Sequence, residues 1–123
     1  MGHGLSIGVG MALAAKMNHQ SYKTYVLMGD GEQGEGSIYE AAMAANQYKL
    51  DNLVAIIDRN RLQISGTTEE VMAIEDIYQR WTALGWDVIH MNGDDIEDIV
   101  NCFSEIDFES KRPHLLISHT YKG

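Results

Sequence analysis

The chain has 123 residues, 45% of them hydrophobic, which is enough for a single domain with an ordinary buried core. Its formal net charge of -9 argues against a nucleic-acid-binding surface, which needs clustered basic residues. No apolar run approaches the ~18 residues of a membrane span, and no secretory leader is recognisable, so we expect no membrane association. The single cysteine, Cys102, excludes an internal disulfide and is typical of a cytoplasmic protein.

The first predicted elements are a helix and a strand. Leu5 to Asn18 is rich in alanine and predicts a helix, although it contains Gly8 and Gly10. Each glycine costs roughly 1 kcal/mol of helix propensity relative to alanine, so we expect both to allow a close approach to another backbone. Tyr22 to Met28 predicts a buried strand that ends at Gly29.

A second helix and strand follow. Ser37 and Glu40 have the spacing of a capping box, which predicts a helix from Ser37 to about Tyr48. Leu53 to Ile57 is apolar throughout and predicts the next strand. An uninterrupted apolar strand is typical of a parallel sheet that is covered on both faces.

The second half of the chain repeats this alternation. Apolar residues at three- and four-residue steps predict two further helices, and Trp86 to Met91 and His114 to Ser118 predict two strands. The helical positions are Ile74, Ile77, Tyr78, Trp81 and Leu84 in the first helix, and Ile96, Ile99, Val100, Phe103 and Ile106 in the second. The order αβαβαβαβ predicts the α/β class, with a mostly parallel sheet and helices on both faces.

Polar residues stand at the exits of the first two predicted strands. Asp30, within Gly29-Asp30-Gly31, follows the first strand, and Asn60 follows the second. One helix joins the two strands, so a right-handed crossover would bring both exits to the same edge of the sheet. A carboxylate and an amide oxygen are ligands that suit Mg²⁺, which takes about six oxygens and usually keeps phosphate or water among them. The pattern predicts a magnesium-diphosphate site.

Other interpretations of this pattern are weaker. Gly-Asp-Gly alone is more often an ordinary tight turn, and only the addition of Asn60 favours the metal site. No cysteine–histidine cluster suggests zinc. Neither Gly-x-Gly-x-x-Gly nor a Walker-type Gly-Lys-Ser/Thr occurs at the first strand exit, which argues against dinucleotide or ATP binding.

At these residues the chain resembles the thiamine-diphosphate enzymes, and among them the transketolases. The stretch from Leu27 to Gly36 is similar to the start of the family's thiamine-diphosphate motif, and Asp58 to Gly66 is similar to its end. The motif is shared with related synthases and dehydrogenases, so the identification rests on flanking stretches such as Tyr48 to Leu53 and Thr67 to Met72. The resemblance covers essentially the whole chain and is closest to the N-terminal half of split transketolases, in which two genes encode the two halves. It implies the three-layer α/β/α fold of the thiamine-diphosphate-binding domain.

The resemblance also implies roles for individual residues. Asp30 and Asn60 would be side-chain ligands of magnesium, and Leu62 would give its backbone carbonyl. Gly31 would donate its amide to the diphosphate of thiamine diphosphate. The residues lining the cofactor would be Ile64 and Gly29.

Several charged residues near the motif have two interpretations. Glu35 matches a family glutamate in a carboxylate network at the dimer interface, or it is a first-turn helix glutamate next to Ser37. Arg59 and Arg61 are expected to be surface charges.

For the five histidines we expect structural roles rather than catalysis. His3 and His119 could approach the site, whereas His19, His90 and His114 are interpreted as surface or strand-edge residues. We assign no catalytic residue within the chain.

The function implied by the resemblance is that of a transketolase. Such an enzyme transfers a two-carbon ketol unit from a ketose phosphate to an aldose phosphate, as in the pentose phosphate pathway. Residues 1–123 would be a partial cofactor-binding domain, because family domains have roughly twice this length. The glutamate that activates the cofactor would come from the C-terminal, pyrimidine-binding subunit or section. We therefore expect a homo- or hetero-oligomer and no turnover from this chain alone.

Two alternatives stay open at this stage. The chain could belong to another thiamine-diphosphate enzyme, such as a deoxyxylulose-phosphate synthase or a 2-oxo acid dehydrogenase component. It could also be a truncated, non-catalytic α/β domain that no longer binds the cofactor.

Overall fold

The computed structural model describes residues 2–63, 66–67 and 73–121. Within these ranges helices and strands alternate, which confirms the predicted α/β class. The helices are α1 (Gly4–Met17), α2 (Gly36–Gln47), α3 (Ile77–Ala83) and α4 (Ile96–Ser104), with a 3₁₀ helix at Asp30–Gly34. The strands are β1 (Thr24–Gly29), β2 (Leu53–Arg59), β3 (Leu62–Gln63), β4 (Gly66–Thr67), β5 (Asp87–Asn92) and β6 (His114–His119).

The main sheet is parallel and has the strand order β1-β2-β6-β5. Gly29 at the end of β1 is level with Asp58 in β2, and Arg59 at the end of β2 is level with His119 in β6. The carboxyl ends of the strands therefore meet at one edge, where open α/β folds usually bind their ligands. A separate antiparallel pair, β3-β4, follows β2.

One face of the sheet is covered by α1, α2 and α3. The alternation of side chains along each strand sends one set of residues to this face. Its core includes Val26 and Met28 of β1, Ala55 and Ile57 of β2, and Ile117 of β6. Trp81 and Trp86 close one end of this core with their rings edge to face, at a centroid distance of 4.7 Å.

The other face of the sheet is covered by α4. Val54 and Leu116 point to this side and pack with Met91 and Cys102. Helices thus lie on both faces of the sheet, as the apolar strands predict. None of the helices in the described ranges is long and apolar enough to cross a membrane.

The two glycines of α1 have different surroundings. A methyl group at Gly8 would overlap the side chain of Val26, so this glycine lets α1 lie directly on β1. A methyl group at Gly10 would meet nothing within 4 Å. The expected close approach is therefore found at Gly8, against a side chain, and is wrong for Gly10.

The predicted capping box at the start of α2 is also wrong. The helix begins at Gly36, so Ser37 lies inside it rather than before it. Its hydroxyl instead donates to the carbonyl oxygen of Gly2 at 2.9 Å, which ties the start of α2 to the segment before α1.

Candidate functional site

Asp30 lies at the carboxyl end of β1 and is 1% exposed. Its Oδ2 accepts a hydrogen bond from the backbone amide of Arg61 at 2.6 Å and from Nη1 of Arg59 at 3.0 Å. These two donors flank Asn60 in the sequence. The chain that leaves β2 therefore wraps around the carboxylate that follows β1, which brings the two predicted strand exits together.

The side chain of Asn60 is held by Asp58. Its Nδ2 donates to Asp58 Oδ2 at 3.0 Å. Asp58 Oδ1 accepts a second hydrogen bond from the hydroxyl of Thr120, just after β6. Because the amide nitrogen is fixed by a carboxylate, the amide oxygen of Asn60 is turned away from Asp58 and can serve as a ligand.

The remaining predicted cofactor residues lie on the same two connections. Gly29 is the last residue of β1, and Gly31 lies in the first turn of the 3₁₀ helix, where backbone amides have no partner within the helix. Leu62 begins β3, opposite Thr67. Ile64 lies outside the residues that the structure describes.

The loop after β1 is held by a carboxylate that the sequence did not single out. Glu32 accepts from the amide of Gly29 through Oε2 at 2.7 Å and from the amide of Gly2 through Oε1 at 2.9 Å. Hydrogen bonds from backbone amides to a carboxylate are among the stronger ones in proteins. Glu32 therefore connects the end of β1 to the segment that leads into α1.

Arg59 corrects the expectation of a surface charge. Its side chain is 4% exposed and forms ion pairs with Asp30 and with Glu75, which precedes α3. Burial lowers the pKa of Arg59, but the hydrogen bonds to Glu75 and Asp30 outweigh it and raise the pKa above the ordinary value. Arg61, in contrast, is exposed as expected.

An open cleft of about 390 Å³ adjoins the Asp30 carboxylate at the carboxyl ends of β2, β5 and β6. Asn60, Arg61, His119 and Thr120 are among its lining residues. His119 Nε2 lies 2.9 Å from Nδ1 of His90. Burial, His90 and the nearby arginines lower the pKa of His119, so the neutral imidazole is favoured here.

His114 is the histidine for which the sequence interpretation fails. It is 3% exposed, and its Nε2 lies 3.1 Å from the carbonyl oxygen of Asp51. Its position at the start of β6, between two strands, explains the burial. His3, His19 and His90 are exposed.

Glu35 stands immediately before α2 and is exposed. It occupies the N-cap position but makes no side-chain capping hydrogen bond. The carboxylate is thus accessible for a contact outside the chain, which is compatible with the interface role, and its role stays a prediction.

The residues present fit a magnesium-diphosphate group. Oδ2 of Asp30 accepts both hydrogen bonds described above, and within the described part of the chain Oδ1 accepts none. With the amide oxygen of Asn60, the site offers hard oxygen ligands of the kind that Mg²⁺ prefers. The described residues contain no cluster of three or more His, Cys, Asp or Glu side chains. The predicted ligand set, with its single carboxylate, would not form such a cluster.

Asp58, Arg59, Glu32 and Thr120 were missed as parts of the site. A signal for Asp58 was present, because side chains two residues apart in an extended chain point to the same side, and Asp58 precedes Asn60 by two. No comparable signal links Arg59 to Asp30 or Thr120 to Asp58, since each pair joins distant parts of the chain.

Comparison with known proteins gives a consistent family. The model "Transketolase, thiamine diphosphate binding domain" matches residues 1–123. One of the two subunits of an apulose-4-phosphate transketolase from Phocaeicola vulgatus is 76% identical over all 123 residues, and its counterpart from Actinobacillus succinogenes is 46% identical. The chain spans 44% of the length of each of these relatives.

Solved structures agree with the sequence comparison. The transketolase of Campylobacter jejuni superposes with a TM-score of 0.91 at 35% identity, over 98% of this chain and 20% of that one. Transketolase from Leishmania mexicana superposes with a TM-score of 0.87 at 32% identity. The resemblance stated from the sequence is thereby confirmed: the chain belongs to the transketolase family and corresponds to its thiamine diphosphate binding domain.

Proposed function

We propose that this chain binds magnesium and the diphosphate of thiamine diphosphate as part of a transketolase. The arrangement of Asp30 and Asn60 carries the proposal. A buried carboxylate follows β1, and an amide oriented by Asp58 follows β2, at the edge of the sheet where ligands bind. The family match supports the identity of the cofactor.

Individual roles follow from this arrangement. Asp30, Asn60 and the backbone carbonyl of Leu62 would hold Mg²⁺, and the amide of Gly31 would donate to the diphosphate. Gly29 and Ile64 would line the cofactor, and Glu35 would join a carboxylate network at a subunit interface.

The transfer itself needs groups beyond this chain. The bound cofactor would supply the carbon that carries a two-carbon ketol unit, and the residues described here would bind and orient it. The relatives are named as subunits, and the chain spans 44% of their length. We propose that a C-terminal, pyrimidine-binding subunit or section completes the active site. We expect no ketol transfer from the purified chain with cofactor and magnesium alone, and turnover in that assay would contradict the proposal.

The names of the relatives suggest which substrates to test first. Two are named for apulose 4-phosphate and one, from Clostridium, for 6-deoxy-6-sulfo-D-fructose. We propose a sugar phosphate as the ketol donor, with apulose 4-phosphate tested ahead of the ketoses of the pentose phosphate pathway. The family match favours a transketolase over a deoxyxylulose-phosphate synthase or a 2-oxo acid dehydrogenase component.

Calorimetric titration with thiamine diphosphate tests cofactor binding directly. We expect saturable binding that requires magnesium and weakens at least roughly tenfold in Asp30→Asn, because the substitution removes the only carboxylate of the ligand set. Asp107→Asn is a matched control: it makes the same chemical change at an exposed position in the connection before β6.

The titration also decides the non-catalytic alternative. No binding by the folded wild-type chain, or equal binding by wild type and Asp30→Asn, would sink the proposed site. A truncated domain that has lost the cofactor would give the first of these results.

A further inference from the structure

The guanidinium of Arg59 lies beside the proposed metal ligand Asp30. Arg59 Nη1 is 3.0 Å from Asp30 Oδ2, and the two side chains are 4% and 1% exposed. Glu75, whose side chain is 51% exposed, forms an ion pair with the other terminal nitrogen. Buried charges interact much more strongly than exposed ones, because little water screens them.

This contact changes the charge that a bare metal ion would meet. Asp30 is the only carboxylate in the proposed ligand set, and the guanidinium compensates its negative charge. A divalent cation at Asp30 would also lie close to a fixed positive charge. The electrostatic attraction for the cation alone is therefore weak.

A diphosphate reverses this balance. It brings negative charges that both the metal and the guanidinium attract, while the net charge of -9 of the chain repels it elsewhere. The positive charge that disfavours the bare cation thus favours the complex of the cation with a diphosphate.

We propose that Arg59 makes metal binding conditional on the diphosphate, so that the site accepts the metal–diphosphate complex and discriminates against the bare divalent cation. The inference rests on the proposed function and adds to it the residue that couples the two ligands. Arg59 acts through Asp30 and is in this sense a positioning and selectivity residue.

The chain offers a matched control two positions away. Arg61 carries the same charge and also lines the cleft, but its side chain is exposed and only its backbone amide contacts Asp30. Arg59→Gln and Arg61→Gln therefore remove the same charge from neighbouring positions, and only the first removes it from the carboxylate.

Glu75 provides a variant with the opposite expected effect. Its carboxylate compensates part of the charge of Arg59, so Glu75→Gln leaves the surroundings of Asp30 more positive. Because the side chain is half exposed, this substitution should preserve the fold more readily than one at the buried arginine.

The experiment is a titration of the full 123-residue chain with Mn²⁺, followed by electron paramagnetic resonance of the free ion. The apparent Kd for Mn²⁺ is measured without and with saturating thiamine diphosphate, with a correction for Mn²⁺ bound by the cofactor in buffer. The ratio of the two Kd values is the coupling between the ligands.

We expect a wild-type ratio of about tenfold or more. Arg59→Gln should bind bare Mn²⁺ more tightly and lower the ratio by about fivefold, whereas Arg61→Gln should stay within about twofold of wild type. Glu75→Gln should bind bare Mn²⁺ more weakly and raise the ratio.

Each outcome has a distinct meaning. An unchanged ratio in folded Arg59→Gln, or equal changes in both arginine variants, overturns the role of Arg59 but leaves cofactor binding intact. Absence of Mn²⁺ and cofactor binding in the wild type overturns the proposed function, and the inference with it. If circular dichroism shows that Arg59→Gln does not fold, Glu75→Gln decides: an unchanged or lowered ratio contradicts the inference.

Discussion

Asp58 connects the proposed metal site to the rest of the sheet. Its two carboxylate oxygens accept from Asn60 Nδ2 and from the hydroxyl of Thr120, so one side chain joins the ends of β2 and β6. Groups that orient a metal ligand commonly matter nearly as much as the ligand. The structure thus adds a supporting residue to a ligand pair that the sequence alone predicts.

We predict that Asp58→Ala weakens the magnesium-dependent binding of thiamine diphosphate about 10–100-fold, because the amide of Asn60 loses the partner that fixes its orientation. Calorimetric titration measures the affinity, and thermal unfolding checks that the variant folds. Thr120→Val is the control, since it removes one hydrogen bond to Asp58 and keeps the one from Asn60. Wild-type affinity in folded Asp58→Ala would show that Asp58 does not orient the ligand.

At the scale of single residues, the sequence predicts what depends on local order. Asp30 and Asn60 can be proposed because each follows an apolar run that ends in the right place. The environment of Arg59 cannot be proposed in this way. Whether an arginine after a strand faces water or a buried carboxylate depends on where the preceding strand lies, and Asp30 is 29 residues away along the chain.

The packing of α1 on β1 is the element contact that depends most clearly on one residue. Gly8 faces Val26 so closely that even a methyl group would overlap its side chain. Gly10 lies on the exposed side of the same helix, with nothing within 4 Å of a methyl group placed there. The two positions therefore separate packing from helix propensity.

We predict that Gly8→Ala lowers the free energy of unfolding by about 1–3 kcal/mol, because overpacking outweighs the gain in helix propensity. Gly10→Ala should raise the free energy of unfolding by up to about 1 kcal/mol, since only propensity changes. Urea unfolding followed by circular dichroism measures both. If Gly8→Ala is as stable as Gly10→Ala, α1 does not lie against β1 as described.

Among the elements, the apolar strands were predictable and the short connections were not. Leu53 to Ile57 forms the body of β2, and the predicted strand His114 to Ser118 matches β6 to within one residue. The 3₁₀ helix after β1 and the β3-β4 pair had no periodic signal, because each is only a few residues long. The start of α2 was misplaced because Ser37 bonds to Gly2, a distant partner.

For the whole molecule, the strand order leaves β1 at one edge of the sheet. Leu27 and Tyr25 of this strand are 72% and 53% exposed, on the face that α4 covers. An exposed edge with apolar side chains commonly pairs with other chain segments. The expected self-association, or the need for a second polypeptide, is compatible with this surface and stays a prediction.

The pH dependence of stability is also a property of the whole fold. Burial lowers the pKa of His114, although Asp87 and the carbonyl of Asp51 act in the opposite direction. Below the ordinary histidine pKa of about 6.5, the unfolded chain therefore binds a proton that the folded chain does not. The free energy of unfolding should fall as the pH is lowered through this range.

We predict that His114→Gln makes this loss of stability shallower, by up to about 1.4 kcal/mol per pH unit. Urea unfolding at a series of pH values below neutrality measures the slope. His19→Gln, at an exposed position, is the control and should leave the slope as in the wild type. Identical slopes for wild type and His114→Gln would contradict the prediction.

The sequence by itself determined the α/β class, the parallel character of the sheet, the family, and the pair Asp30 and Asn60 that motivates the proposed site. All of these depend on local periodicity and on residues that follow strands at fixed distances. Only the tertiary structure decided the strand order, the burial of Arg59 and His114, and the contacts that hold Asp58 and Glu32. These depend on which distant segments become neighbours, and hydrogen bonds and ion pairs across the fold leave no periodic signal in the chain.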